Sequence, residues 1–164
     1  MRVAVVTVSD RASAGVYADA SGDEIERTLR ERLAVVEVSR HLVPDDRALI
    51  QEALRGALEA GADVVLTTGG TGLGPRDVTP EATRELCDRE VPGIAEAIRM
   101  ESLRETARAM LSRGYAGMRG KALIVNFPGS PRAVASCLAV LLPVMEHAVA
   151  MARGGGHEGR RDAG

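Results

Sequence analysis

Apolar strand-like runs alternate with helical patterns along this chain, and the alternation predicts an α/β fold: three layers, α/β/α, with a mainly parallel central sheet. Three observations carry the reading. Residues 2–8 (RVAVVTV), 62–68 (ADVVLTT) and 121–127 (KALIVNF) are β-branched and apolar, as strands buried on both faces of a parallel sheet are. Stretches with apolar residues at helical spacing lie between them. Cap and turn residues mark each change of period.

The elements follow in order. After residues 2–8, the polar small-residue segment 10–20 reads as a loop. Ser21 and Glu24 have capping-box spacing, and Ile25, Leu29 and Leu33 carry a helix to about residue 33. Residues 35–42 read as a second strand. Pro44-Asp45-Asp46 opens the next helix, whose stripe is Leu49, Ile50, Ala53, Leu54, Ala57 and Leu58, with Gly61 as its stop. After the strand at 62–68 comes a glycine loop. Thr79 is read as a cap with Pro80 at the first helical position, and 79–113 as mostly helical with a break at 91–93. A glycine-spaced connection at 114–120 leads to the strand at 121–127. Ser130 caps a long helix from Pro131 to about residue 151, which Pro143 should bend. Right-handed crossovers are expected. Residues 1–152 read as one domain and 153–164 as a disordered tail.

Composition narrows the function. The chain has 164 residues, 45% hydrophobic and 27% charged, an ordinary balance for one globular domain. With a net charge of -2, nothing in the balance argues for general nucleic-acid binding, and no nucleic-acid partner is expected. Aromatic residues are limited to Tyr17, Tyr115 and Phe127, so base-stacking platforms are scarce. Cys87 and Cys137 are far apart, which suits reduced thiols and a cytoplasmic protein. No stretch reads as a signal peptide or a membrane span.

The chemistry is sought where open α/β sheets bind ligands, beyond the carboxyl ends of the strands. Ser9 and Asp10 follow the first strand, Asp45 and Asp46 the second. Thr67, Thr68 and the loop Gly69-Gly70-Thr71-Gly72-Leu73-Gly74, ending at Asp77, follow the third. Asn126, Pro128, Gly129 and Ser130 follow the last. So many glycines let backbone N–H groups approach an anion, and the Thr68 and Thr71 hydroxyls could join them around a phosphate. A tight turn alone would need one or two. The P-loop pattern is absent, and Pro75 stands where a dinucleotide fingerprint needs its third glycine. His41, His147 and His157 lack metal-ligand spacing. Carboxylates remain: Asp10, Asp45 and Asp77 could hold Mg²⁺, a hard cation that takes one or two carboxylates plus substrate phosphates. Each has a plainer alternative: a cap for Asp45, an Asx-turn for Asp77, a loop contact for Asp10. Together they suggest a Mg²⁺-nucleotide site and group transfer by positioning and charge neutralisation.

The stretch TTGGTGLGPRDVTPEAT resembles the signature of the MogA/MoaB family of molybdenum cofactor biosynthesis proteins, which includes the gephyrin G domain. The similarity extends over nearly the whole chain to about residue 152, through VSDRASAG at 8–15, VPDD at 43–46, ESL at 101–103 and AMLSRGYAGMRGKALIVNFPGSPRAV at 109–134. The resemblance implies the family's fold and a molybdopterin adenylyltransferase: Mg²⁺-dependent transfer of AMP from ATP to the terminal phosphate of molybdopterin, with release of pyrophosphate. A non-catalytic molybdopterin carrier of the same fold is the alternative, and a nucleotide- or pterin-cleaving hydrolase a third. By position, Asp45 and Asp77 match the family's metal and catalytic carboxylates. Gly69, Gly70, Thr71 and Gly72 match its nucleotide loop. Ser9, Asp10, Ser102, Ser112, Asn126, Pro128 and Gly129 match its molybdopterin site, and Arg119 is a further candidate for phosphate. The resemblance also implies a homotrimer, with hexamers in some members, for which the apolar region 94–111 could supply the contact.

Overall fold

In the computed structural model of this chain, residues 1–34 and 36–155 are described. Strand β1 (Arg2–Val8) leads into a single helical turn, α1 (Asp10–Ser13), then α2 (Ala20–Arg32), β2 (Glu37–Val43), α3 (Arg47–Glu59) and β3 (Val64–Thr68). Next come α4 (Thr79–Leu86), the two-residue β4 (Arg89–Glu90), α5 (Pro92–Leu103), a 3₁₀ turn (Ala107–Leu111), β5 (Ala116–Arg119), β6 (Ala122–Phe127) and α6 (Pro131–Ala152).

The six strands form one sheet in the order β2-β1-β3-β6-β5-β4. The first four are parallel, and β5 and β4 run antiparallel at one edge. The predicted three-layer α/β/α architecture with a mainly parallel sheet is therefore the one observed. The period of two along β1 divides the core. Val3 and Val5 face a layer that includes Ile25, Leu29, Ile98, Val134, Leu138 and Leu141, from α2, α5 and α6. Ala4, Val6 and Val8 face Ile50, Leu54, Ala82 and Leu86, from α3 and α4.

Several local expectations change. Helix α2 is capped by Asp19, whose Oδ1 accepts from Gly22 N at 2.9 Å; Ser21 lies inside the helix and donates its hydroxyl to Asp19. Asp46, not Asp45, caps α3, which releases Asp45 for other contacts. Thr79 makes no cap bond to α4, because its Oγ1 is buried under the glycine loop. The stretch 79–113 is broken by more than the expected turn. β4 pairs with β5, and Asp88 N donates to Met118 O at 2.8 Å, so the edge of the sheet captures backbone that local pattern assigns to helix. Segment 10–20 begins with a helical turn capped by Ser9. Of the predicted second strand, Val35 lies outside the described residues.

Helix α6 passes through Pro143 as one element. Contrary to the sequence reading, its 22 residues include an 18-residue window of mean hydropathy 1.8, long and apolar enough to cross a membrane. Its stripe of Val134, Cys137, Leu138, Leu141, Met145 and Val149 is instead buried on the sheet. Arg153, expected in the tail, ends α6 and donates to Asp63 at 2.6 Å; residues 156–164 and His157 with them lie outside the described residues.

Candidate active site

The registers Val8 to Val43, Thr7 to Thr68 and Thr68 to Phe127 bring the carboxyl ends of β2, β1, β3 and β6 to one level. The loops that follow meet there, as the alternating topology requires. Gly69 has φ +100°, donates its N–H to Phe127 O at 3.1 Å, and lies so close to the Val8 carbonyl that a Cβ would collide with it. Gly70 has φ +63°, and its carbonyl accepts from Thr79 N at 3.1 Å. Sheet contact on one side and α4 on the other thus hold the ribbon in a left-handed conformation that side chains resist.

The ribbon separates two clefts. One, of about 300 Å³, is lined by Ser9, Tyr17, Ser21, Asp45, Gly70 and Asp77 among others, with Gly69 and Gly129 behind them. Asp10 and Asp45 embrace: Asp10 N donates to Asp45 Oδ2 and Asp45 N to Asp10 Oδ1, both at 2.9 Å. Arg76 grips Asp10 with two bonds, of 3.0 and 2.7 Å, which hold the Asp10 carboxyl below its usual range with help from the Asp45 backbone. Asp45 moves the other way. Burial raises its pKa, and the negative charges of Asp10 and Asp77 add to the rise. Asp77 turns back into its own loop, where its Oδ2 accepts from Gly74 N at 2.8 Å.

The second cleft, of about 400 Å³, is lined by Thr71, Gly72, Ile98, Ser102, Ser112 and Pro128, with Arg99 and Arg108 also on its wall. The Ser102 Oγ is buried and has no hydrogen-bond partner among the described residues. Such a hydroxyl is costly unless a ligand or water meets it. Ser112 Oγ accepts from Gly114 N at 3.3 Å.

The predicted site residues are sorted by this division. Gly69 and Gly70 face the acidic side, whereas Thr71 and Gly72 line the serine-bearing cleft. Ser9 opens onto the acidic side, and its Oγ meets Tyr17 Oη at 2.9 Å. Asp10 lines neither cleft, being engaged by Arg76 and Asp45. Asn126 is turned inward: its amide donates to Thr67 and Thr83 Oγ1, both at 2.9 Å, and accepts from Tyr115 N at 3.3 Å. Arg119, at the end of β5, pairs with Asp88 and lines neither cleft. Sequence reasoning missed Arg76, Tyr17 and above all Arg113, which reaches under the glycine loop. No periodicity marks an arginine in a connecting segment.

Among the described residues, no group of three or more His, Cys, Asp or Glu side chains has metal-binding geometry. The donor set suits a different cation. Asp45 and Asp77 are two carboxylates close enough for one to raise the pKa of the other, beside a ribbon open to phosphate. The buried Thr79 Oγ1 next to Gly70 likewise has no partner among the described residues. Such a set fits a Mg²⁺ ion that completes its shell with nucleotide phosphates and water.

The family model described as a probable molybdopterin binding domain matches residues 4–147. This chain belongs to the MogA/MoaB molybdopterin-binding family of molybdenum cofactor biosynthesis proteins. It is 43% identical over 151 residues to a molybdopterin adenylyltransferase of Helicobacter pylori, covering 91% of this chain and 86% of the relative. With the molybdopterin adenylyltransferase of Escherichia coli K12 it shares 42% over 140 residues, 84% of this chain and 72% of the other. Among solved structures, the molybdopterin biosynthesis enzyme MoaB of Thermus thermophilus superposes with a TM-score of 0.85 at 48% identity, covering 93% of this chain and 96% of that one. The Mog protein of Mycobacterium ulcerans gives 0.87 at 40%, with 92% and 98% covered. These matches agree with the resemblance and with the observed layers.

Proposed function

We propose that this member of the family is a Mg²⁺-dependent molybdopterin adenylyltransferase, joining AMP from ATP to the terminal phosphate of molybdopterin. The observation that carries the reading is the pair of clefts on opposite sides of one glycine ribbon, acidic on one side and serine-bearing on the other. ATP belongs in the acidic cleft, with its phosphates along the ribbon at the Gly70 N–H, since the Gly69 N–H is already given to Phe127 O. Molybdopterin belongs in the other, between Ser102, Ser112 and Pro128, with Arg99 and Arg108 near its phosphate. The adenylyltransferase names of relatives above 40% identity support the same assignment.

A molybdopterin phosphate oxygen attacks the α-phosphorus of ATP. The new P–O bond forms as the bond from that phosphorus to the β-bridging oxygen breaks, and pyrophosphate leaves with the electron pair. Asp45 and Asp77 would hold Mg²⁺, which when bound neutralises charge on the leaving pyrophosphate. The ribbon supplies fixed N–H dipoles where charge develops, at no cost in reorganisation. Gly129 and Ser9 shape the nucleotide side, and Asn126 holds β6 against β3 and α4 behind the ribbon.

We place the reaction in the cytoplasm, in one domain spanning residues 1–152 that assembles as a homotrimer. Exposed Met100, Leu103, Met110 and Leu111 on α5 and the turn after it would supply apolar contact, which light scattering coupled to size exclusion would test. The deciding experiment for the function is pyrophosphate release from ATP and Mg²⁺, with and without molybdopterin. Release that needs molybdopterin and yields an adenylylated product establishes the transferase. Tight molybdopterin binding without release makes the protein a carrier, and release without molybdopterin makes it a hydrolase.

A further inference from the structure

Arg113 follows the 3₁₀ turn, and both its backbone and its side chain are committed to the glycine loop. Its N–H donates to Thr71 O at 2.9 Å. Its Nε donates to Gly72 O at 2.7 Å, and Nη2 donates to Asp77 O at 2.6 Å. The guanidinium therefore spans the two ends of the segment from Gly72 to Asp77. Its remaining edge pairs with Glu81 on α4. From within, the segment is closed by Asp77 itself, whose N donates to Gly74 O at 3.0 Å and whose Oδ2 accepts from Gly74 N.

Two consequences follow. Glu81 neutralises the Arg113 charge, so Arg113 is not a free cation for phosphate. The fork geometry that meets two carbonyls and a carboxylate at once belongs to guanidinium and cannot be copied by an ammonium. We infer that Arg113 is a positioning residue: by clamping the Gly72 and Asp77 carbonyls it fixes where the Asp77 carboxylate stands for the nucleotide-bound cation. The same residue adjoins Ser112, which lines the other cleft, so one strut sets the wall that both clefts share. The inference rests on the adenylyl-transfer reading for its cation but not for its test.

The test titrates Mn²⁺ by electron paramagnetic resonance, in the presence of α,β-methylene-ATP, with wild-type protein and Arg113→Lys. Loss of a group that orients a metal ligand weakens metal affinity about 10- to 100-fold, and that is the loss expected for Arg113→Lys. Affinity for the analogue without metal should stay within about twofold, since the ribbon at Gly69 and Gly70 is held by β1, β6 and α4 rather than by Arg113. Hydrogen exchange should rise at residues 72–77 and not across the sheet. Unchanged Mn²⁺ affinity, or faster exchange throughout the domain, overturns the inference. Should Arg113→Lys fail to fold, Glu81→Gln is measured instead: it frees one edge of the guanidinium and should weaken Mn²⁺ severalfold with the same local exchange, and no change in either overturns the inference. Wild-type protein that binds the Mn²⁺-analogue complex but never releases pyrophosphate from ATP defeats the transferase reading alone, and the affinity ratio still decides Arg113. Wild-type protein that binds no such complex overturns both.

Discussion

Gly70→Ala isolates the physical demand that the ribbon makes on sequence. Gly70 sits at φ +63°, where an L side chain costs about 1–2 kcal/mol. The added Cβ would also overlap the buried Thr79 Oγ1 and come to 3.1 Å from Asp45 Oδ1. Overpacking of that kind costs about 1–3 kcal/mol. The sum is about 2–5 kcal/mol, which in a domain of this size lowers Tm by roughly 4–20 °C. Gly15 supplies the control, because it has φ +73° but no atom within 4 Å of where its Cβ would stand. Gly15→Ala should therefore cost only the backbone share, about 1–2 kcal/mol. The assay is urea unfolding of both variants, repeated for Gly70→Ala on a Thr79→Ala background. Removing Thr79 Oγ1, which has no partner to lose among the described residues, should recover most of the overpacking cost and leave the φ strain. Equal costs for Gly70→Ala and Gly15→Ala, or the same Gly70→Ala cost on both backgrounds, would refute the reasoning.

Three further outcomes are expected. Asp77→Asn keeps an oxygen to accept from Gly74 N but removes the charge, so folding and molybdopterin binding should persist while pyrophosphate release falls on the order of 10²-fold or more; binding fluorescence and release, measured on one preparation, decide it. The Cys87 thiol is pushed up to about 11, chiefly by burial, and Cys137 to about 12. At pH 8 native Cys87 should therefore alkylate on the order of a hundredfold more slowly than an ordinary thiol, as iodoacetamide labelling followed by mass spectrometry would read. Asp45 has its pKa raised on folding, so the folded protein holds its proton more firmly than the unfolded chain does. That contribution is fully present below the ordinary carboxylate value, about 3.9, and is lost as pH rises through the raised one. The stability of Asp45→Asn relative to wild type should accordingly grow with pH across that window, and a flat difference in urea unfolding would contradict the burial argument.

The deciding features of the fold lay in local pattern. Apolar runs such as residues 2–8 and 121–127 have one stable use, a strand covered on both faces, and helical stripes between them leave little choice but a layered parallel sheet. The level of the strand ends followed from that alternation, which is why Ser9, Asp45, Gly69, Gly70, Asp77 and Gly129 could be gathered from the order of residues alone. Capping was legible where the hydroxyl had no better partner, as at Ser130. It failed at Asp45, which is engaged with Asp10 while Asp46 caps α3, at Ser21, where Asp19 takes the role, and at Thr79, whose hydroxyl is buried beside Gly70 and leaves α4 with no side-chain cap.

What the sequence determined by itself was therefore the layered sheet, the glycine ribbon at its edge and the carboxylates beside it, because periodicity and backbone freedom are written residue by residue. Only the tertiary structure decided that the ribbon divides two clefts, that Asn126 is spent inside, that Arg76 engages Asp10, and that Arg113 clamps the loop bearing Asp77. Those outcomes depend on which donor lies within hydrogen-bond reach of which acceptor, across separations as long as the 66 residues between Asp10 and Arg76. Chain geometry sets such distances after folding, and no local pattern encodes them.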